Sequence, residues 1–443
     1  QREAMAQLQR EGRLLFDQEH TMHLRETGDR ITRIAEELDS IRDRAAVLQS
    51  LREGRSGIEL MPELAAMNDR VKLAGTVKGF AFPTADPLDW TFPAHVQFSR
   101  SQLRTLVPNA VFASAAMDEA ICDAQLDPAH VSSAQTGLYC ASAGSSWMTH
   151  VALDSVLTRG PARTSAPTVV TGMPNALHLN RTAKFAIKGA SVGFSSACAS
   201  SAHALGSACD LIRMGRQKIM FVVGAEDCHP CNILPFASLR ALSVQSDSTL
   251  APRPFDVDRD GFIITGGGAA LVLEDAEHAA ARGATVYAEV KGWGQASDGY
   301  DVVAPDPSGA GLARAMTNAL QDAHLKASAI DYLNAHATAT NAGDLAELNA
   351  LKAVFTADKR PHVSSTKALT GHGLSLAGAL EAGICCLAIR EGFMPASAKI
   401  QNLDPACEGI PILTERLDQA PHAVMSNSSG FGGANVALIF GKV

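Results

Sequence analysis

Several features are missing from this 443-residue chain, and each absence excludes a class of function. No apolar run approaches the length of a membrane-spanning helix, and the opening residues are charged, so neither a membrane span nor a signal peptide is expected. Positive charge is not in excess. The net charge of -8 argues against broad nucleic-acid binding and leaves only a local basic patch open. Cys228-His229-Pro230-Cys231 has no second cysteine pair to complete a zinc site, and no metal is expected. A GxxxxGK[ST] phosphate loop is absent. The run Gly266-Gly267-Gly268 does not follow a strand and open a helix, as a dinucleotide site requires. The 9 cysteines, odd in number and irregularly spaced, read as reduced thiols of a cytoplasmic protein. The chain opens on Gln1 instead of Met, from which an upstream cut is expected.

What is present is ordinary globular composition, 46% hydrophobic and 19% charged. The length suits two or three domains or one large duplicated unit. Residues 1–57 are rich in Arg, Glu, Asp and Gln, with apolar residues at helical spacing. They predict two or three amphipathic helices, one ending near Arg52-Glu53-Gly54. A helical arm docked on the body and a coiled-coil docking segment both fit. Residues 58–110 read as irregular, punctuated by Pro83, Pro87, Pro93 and Pro108. A buried Ala-rich helix follows over 111–126, then strands over 136–143, 218–223 and 269–273. From about Thr285 the pattern starts again: strand 285–290, helix 311–323, strand 330–335, helix 343–354. Strand 362–364, helix 375–391 and strands 423–425 and 435–439 complete it. Strands alternating with helices predict an α/β fold with buried, mostly parallel sheets covered by helices. Two passes of the pattern predict a duplicated architecture.

The stretch Ala190 to His203 (ASVGFSSACASSAH) brings an apolar, β-prone run to a small-residue elbow that carries Cys198. A helical pattern leaves it, with Ala202, Leu205, Cys209 and Ile212 at helical spacing until Gly215. At a helix start, free N–H groups and the dipole favour thiolate and can receive a developing oxyanion. A buried cysteine acting as a small hydrophobe fits the same stretch. Three places in the second half could meet this sulfur. Asn334-Ala-His336-Ala-Thr338-Ala-Thr340 puts a histidine just past a strand end, where open α/β sheets gather active residues. Ser365-Thr-Lys367 with Gly371-His372 places a lysine and a histidine in a small polar loop. Asn427-Ser-Ser-Gly-Phe431-Gly-Gly is a turn whose backbone can approach a ligand closely. Each alone is equally a structural histidine or an ordinary turn; four such features at element ends point to convergence.

Ser-Ser-Ala-Cys198-Ala-Ser-Ser-Ala-His resembles the nucleophile motif of the β-ketoacyl-acyl-carrier-protein synthases, types I and II. Asn-Ala-His336-Ala-Thr-Ala-Thr with Asp344, Ser-Thr-Lys367 with Gly-His372, and Asn-Ser-Ser-Gly-Phe431-Gly-Gly resemble the family's later motifs. Arg253-Pro-Phe-Asp, Arg259-Asp-Gly-Phe and Ser297-Asp-Gly-Tyr-Asp301 add supporting matches. The resemblance spans about residues 47–443. It implies a thiolase-like fold, two related halves in a five-layered α-β-α-β-α core, and a homodimer; a heterodimer with a related ketosynthase-like subunit is the other arrangement it allows. The halves would run 47–280, with the nucleophile, and 281–443, with the histidines, after a helical segment 1–46.

The implied reaction is a decarboxylating Claisen condensation in fatty-acid elongation. Cys198 would carry the acyl chain as a thioester, with the amides of Cys198 and Phe431 as oxyanion hole. His336 and His372 would hydrogen-bond the malonyl thioester carbonyl. Lys367 with Glu381 would fix the surroundings of His372, and Thr338 and Thr340 would bond the phosphopantetheine arm of the acyl carrier protein. No further cofactor is implied. Phe431 would act as a gate, Gly144 would leave space for the acyl chain, and Arg100 and Arg104 would meet the acidic carrier. A ketosynthase of a type II polyketide or aryl-polyene pathway would share these residues. A non-catalytic chain-length-factor-like subunit typically lacks the nucleophile. Three departures stand out. The usual opening strand and Gly-x-Gly are replaced by Arg30-Ile-Thr-Arg-Ile-Ala, so a first-half strand is expected to be missing, replaced, or rebuilt from residues 1–46. Ala337 and Ala339 stand where Gly and Ser are commoner, and Ser429 replaces a frequent Phe.

Overall fold

The computed structural model describes residues 45–173 and 177–443; the helices expected before residue 45 lie outside that range. The first described element is a helix over 45–53 that ends at Gly54, where the sequence puts its stop. It docks through Leu51 onto Leu369, Ile384 and Phe393. The stretch expected to be irregular contains a small antiparallel pair, β1 (Ile58–Leu60) with β2 (Leu73–Gly75).

Two sheets follow. The first comprises β3 (Thr136–Ala141), β4 (Ser191–Phe194), β5 (Ile219–Glu226) and β6 (Gly267–Glu274), in the order β4-β3-β5-β6. β3 runs parallel to both neighbours and β6 is antiparallel to β5. Every residue of β5 is buried, which is why it reads as a continuous apolar run with no alternation. The second sheet comprises β7 (Glu289–Ser297), β8 (Tyr332–Asn334), β9 (His362–Ser364), β10 (Ala423–Gly430) and β11 (Ala434–Gly441), ordered β7-β11-β10-β8-β9. Without β7, that order superimposes on β6-β5-β3-β4, with the antiparallel pair in the same place. The duplication is therefore present in topology. Among the described residues the first sheet lacks a counterpart of β7; nearly all of segment 1–46, from which a rebuilt strand was one expectation, lies outside them.

Two strand expectations need correction. The strand expected over 285–290 instead spans β7, because its antiparallel pairing with β11 overrides the low strand propensity of Gly292 and Gly294. The expected long glycine turn is only three residues, 431–433, since β10 and β11 pair up to Gly430 and Ala434.

Between the sheets lie the helices Ser200–Arg213 and Ala377–Glu391. Their apolar faces share one buried cluster with strands of both sheets: Ala202 and Leu205 meet Val222, Tyr332, Ala382 and Leu438. The two helices touch closely, and a Cβ on Gly378 would stand 2.6 Å from the Ala202 amide nitrogen. Outer helices cover the remaining faces, Pro108–Asp123 on the first sheet and Ala310–Asp322 with Asn341–Val354 on the second. The result is five layers, with the start of one central helix facing loops from the other half.

Candidate active site

β4 stops at Phe194, and the chain turns sharply before the helix Ser200–Arg213. The Ser200 hydroxyl ties this turn: it accepts from the Ser196 amide at 2.8 Å and donates to the Ala197 carbonyl at 2.6 Å. Ala197 is held at φ +49°, a strained conformation for a side-chain-bearing residue that persists only when its surroundings enforce it. The elbow leaves Cys198 buried at 7% exposure, facing the second half.

Two loops of that half deliver histidines. His336 follows β8; its own amide and that of Ala337 donate to the Glu347 carboxylate at 3.1 and 2.7 Å. The Ser365 hydroxyl donates to the Ala337 carbonyl at 2.6 Å. His372 is stitched into the first half. Its amide donates to the Ile263 carbonyl at 2.7 Å, and its carbonyl accepts from the Thr265 amide at 3.1 Å. This brings His372 Nε2 to 3.0 Å from Cys198 Sγ. The two imidazole rings stand edge to face, 5.3 Å between centroids.

Burial pushes the Cys198 thiol up to about 12; Lys367 pulls it down and Glu226 pushes it further up. The expectation of a resting thiolate is thereby overturned. A helix terminus contributes about 1 kcal/mol, under one pH unit, and desolvation of a buried group outweighs it. Burial, then Lys367, holds both His336 and His372 well below the usual histidine range, and His372 lowers His336 a little further. Both rings are therefore neutral at physiological pH. Each Nδ1 is buried without a hydrogen-bond partner. A stranded N–H donor is the rarer and costlier orphan, so we assign the proton of each ring to Nε2, the edge that faces the sulfur in His372.

Lys367 does not enter the cleft. It forms a buried ion pair with Glu381, whose carboxyl burial raises to about 7 against the pull of Lys367. Asp344 is also buried, accepting from the Ala339 amide at 3.1 Å and the Phe255 amide at 2.9 Å. It braces the loop after His336 against the Arg253-Pro-Phe-Asp turn.

A cleft of about 830 Å³, part of it open to solvent, is lined by Cys198, His336, His372, Thr338, Thr340 and Phe431. The strand end before Phe431 packs on the nucleophile: a Cβ on Gly430 would lie 2.6 Å from the Ser196 carbonyl oxygen and 3.1 Å from the Cys198 amide nitrogen. The Phe431 ring stands 6.3 Å from that of Phe236. Six of the residues given a role in the sequence thus line one cleft, with the departures Ala337 and Ser429 beside them, while Lys367, Glu381 and Asp344 stand behind it. Gly144 does not line it; its carbonyl accepts from Asn232 Nδ2 at 3.1 Å, in a turn at the end of β3. Arg100 and Arg104 are exposed on and beside the short helix Arg100–Leu103, which Ser99 and Gln102 cap.

Sequence reasoning missed Glu347 and Phe236, which also line the cleft, and Glu226 behind it. Glu347 was discoverable: with Asp344 it forms an acidic pair three residues apart on one helix face. Among the described residues Cys198, His336 and His372 form the group whose ligand atoms come within 4.8 Å of one another. No helix of the described residues is long and apolar enough to cross a membrane.

Residues 39–279 match the family model of the β-ketoacyl synthase N-terminal domain, and residues 287–401 that of the C-terminal domain. The chain belongs to the β-ketoacyl synthase family. The 3-oxoacyl-[acyl-carrier-protein] synthase 1 of Haemophilus influenzae is 43% identical over 401 residues, covering 89% of this chain and 94% of that protein. The enzyme of the same name from Escherichia coli K12 is 40% identical, covering 90% and 94%. The crystal structure of a β-ketoacyl synthase from Burkholderia phymatum matches with a TM-score of 0.81 at 35% identity, covering 90% of this chain and 95% of that one. The synthase fold, with its helices and sheets in thiolase-like layers, is shared.

Proposed function

We propose that this β-ketoacyl synthase elongates fatty acyl chains carried on acyl carrier protein, with Cys198 as nucleophile. The observation that carries the reading is the meeting of one thiol and two neutral imidazoles, drawn from opposite halves, in one open cleft. In the first step Cys198 sulfur attacks the acyl thioester; the carrier leaves as its thiol, taking up the proton that the cysteine gives. The amides of Cys198 and Phe431 receive the oxyanion, each worth a few kcal/mol when preorganised. In the second step the malonyl thioester carbonyl accepts from Nε2–H of His336 and His372. Carbon dioxide departs, and the two donors stabilise the enolate left behind. Its carbon attacks the Cys198 thioester, releasing the β-ketoacyl product and the Cys198 thiolate, which takes a proton from solvent to restore the thiol. Neutral donors are essential here, because an imidazolium would protonate the carbanion.

Thr338 and Thr340, whose hydroxyls lie 3.2 Å apart on the cleft wall, are placed to bond the phosphopantetheine arm. Arg100 and Arg104 offer exposed positive charge for an acidic carrier. Two copies would pair through the outer edge of β4, where Val192 is exposed. The free cysteines of the described residues support a cytoplasmic location. The relatives that match at higher identity are named 3-oxoacyl-[acyl-carrier-protein] synthase 1, whereas a ketosynthase solved with its chain length factor is 30% identical; this favours elongation over the polyketide reading. The test is mass spectrometry after incubation with a saturated acyl-carrier protein, followed by malonyl-carrier protein. An acyl adduct on Cys198, chased to β-ketoacyl product, is expected; no adduct, or no turnover of saturated chains, refutes the assignment.

A further inference from the structure

The ligand atoms of Cys198, His336 and His372 lie within 4.8 Å of one another, all three residues buried around one accessible cleft. A thiolate and two imidazoles are the donor set of a three-ligand zinc site that keeps one position open. In such a site neighbouring ligand atoms stand roughly 3.3–3.8 Å apart, as follows from Zn–N and Zn–S lengths of about 2.0–2.3 Å. Sγ and His372 Nε2, at 3.0 Å, need to spread slightly, and the remaining separations need to close by about an ångström, within the reach of side-chain rotation.

We propose that this triad reversibly captures soft divalent cations, Zn²⁺ foremost, so that free zinc blocks acyl loading. On binding, the Cys198 thiol releases its proton to solvent, the imidazoles move theirs from Nε2 to Nδ1, and the ion exchanges water for one sulfur and two nitrogens. No oxidation is involved. The same geometry sets the strength. A resident zinc site gives each imidazole N–H a partner, and losing such partners costs on the order of 10–100-fold in affinity. Both Nδ1 atoms here have none. The site is therefore a chelator-sensitive trap and not a permanent centre. Only its inhibitory consequence rests on the proposed function; the binding itself does not.

The experiment uses the full chain and Co²⁺ as spectroscopic probe for Zn²⁺. One equivalent is expected to give a thiolate-to-cobalt charge-transfer band that Zn²⁺ displaces and EDTA removes. Cys198→Ser should abolish the band, His336→Ala should weaken binding by on the order of tenfold or more, and Cys231→Ser should leave band and activity unchanged. On unmutated protein, Zn²⁺ should protect Cys198 from alkylation, read by peptide mass spectrometry, and inhibit condensation reversibly. A band that survives Cys198→Ser, or alkylation of Cys198 undiminished by zinc, overturns the proposal even if the protein proves fully active as a synthase.

Discussion

Glu226 ends β5 as the last residue of an otherwise apolar strand, wholly buried, and burial raises its carboxyl from 4.5 to about 8. Its Oε1 accepts from both the Ala143 amide at 2.8 Å and the Ser375 amide at 3.1 Å, joining the two halves. Oε2 faces the Ser142 hydroxyl at 3.5 Å. Glu226→Gln can keep Oε1 and both amide bonds while removing the charge. A carboxyl whose folded value lies above its unfolded one holds more protons when folded, so its contribution to stability falls as pH rises through the window from 4.5 to about 8. At about 1.36 kcal/mol per pH unit, the native protein loses on the order of 3 kcal/mol through this group between about pH 5.5 and pH 8. Glutamine loses none of it. Against that stands the Ser142 hydroxyl, which already accepts from Asn109 Nδ2 at 2.7 Å and the Gly144 amide at 3.0 Å. Its hydrogen would then face an NH₂ group, at about 1–3 kcal/mol. Glu226→Gln should therefore be neutral or destabilising at the lower pH and stabilising by about 2 kcal/mol at the higher. Melting temperatures of both proteins, measured at the two pH values, check it. A difference that is the same at both, or one that turns more destabilising with rising pH, refutes the reasoning.

Other outcomes follow from the same geometry. Gly430→Ala pushes a methyl against the Ser196 carbonyl and the Cys198 amide; acyl loading should fall about 10²–10³-fold, as for loss of one oxyanion donor, with folding retained by circular dichroism. Cys198→Ala should abolish condensation without unfolding the chain, and retained elongation would remove the cysteine from the mechanism. Lys367→Met strands the Glu381 carboxyl in a fully buried position and should cost about 3–5 kcal/mol in denaturant unfolding, most of it recovered in the double variant Lys367→Met with Glu381→Leu. His372→Ala should impair malonyl decarboxylation more than acyl loading, measured as separate half-reactions; equal loss of both would deny it the enolate role.

Those parts of the site that depend on local pattern were readable from the chain. The elbow at Cys198 shows itself as a switch from strand to helix period across a run of Ser and Ala, and His336 as a polar residue just past a short apolar strand. The five-residue spacing of Lys367 and His372 was visible, but their separation in space was not: a helical turn sends the lysine back toward Glu381, while the histidine joins the backbone of residues 263–265. Glu226 gave no signal, since one acid after an apolar run marks a strand end as readily as a buried brace. β7 was misplaced because its two glycines are tolerated only by a pairing with β11 far along the chain. The thiol was expected to rest as thiolate because the helix start is local, whereas the burial that overrules it is made by residues brought in from elsewhere in the chain, among them Leu64, Ile233, Phe262 and Leu374.

That last contrast bears on how the chemistry is organised. The resting cleft holds a protonated thiol and two uncharged rings, and the fixed cation nearest to them, Lys367, is kept behind the wall by Glu381. Its field nonetheless reaches all three groups, lowering the thiol as well as both imidazoles. A mobile cation in the cleft would pair with the enolate or with the malonyl carboxylate that must leave; a buried one cannot, yet through a low-dielectric interior it still acts at distance. The same charge thus eases departure of the proton from sulfur and keeps the rings from becoming acids strong enough to quench the carbanion. Loading asks for the first effect and condensation for the second, and one ammonium held out of reach of substrate supplies both.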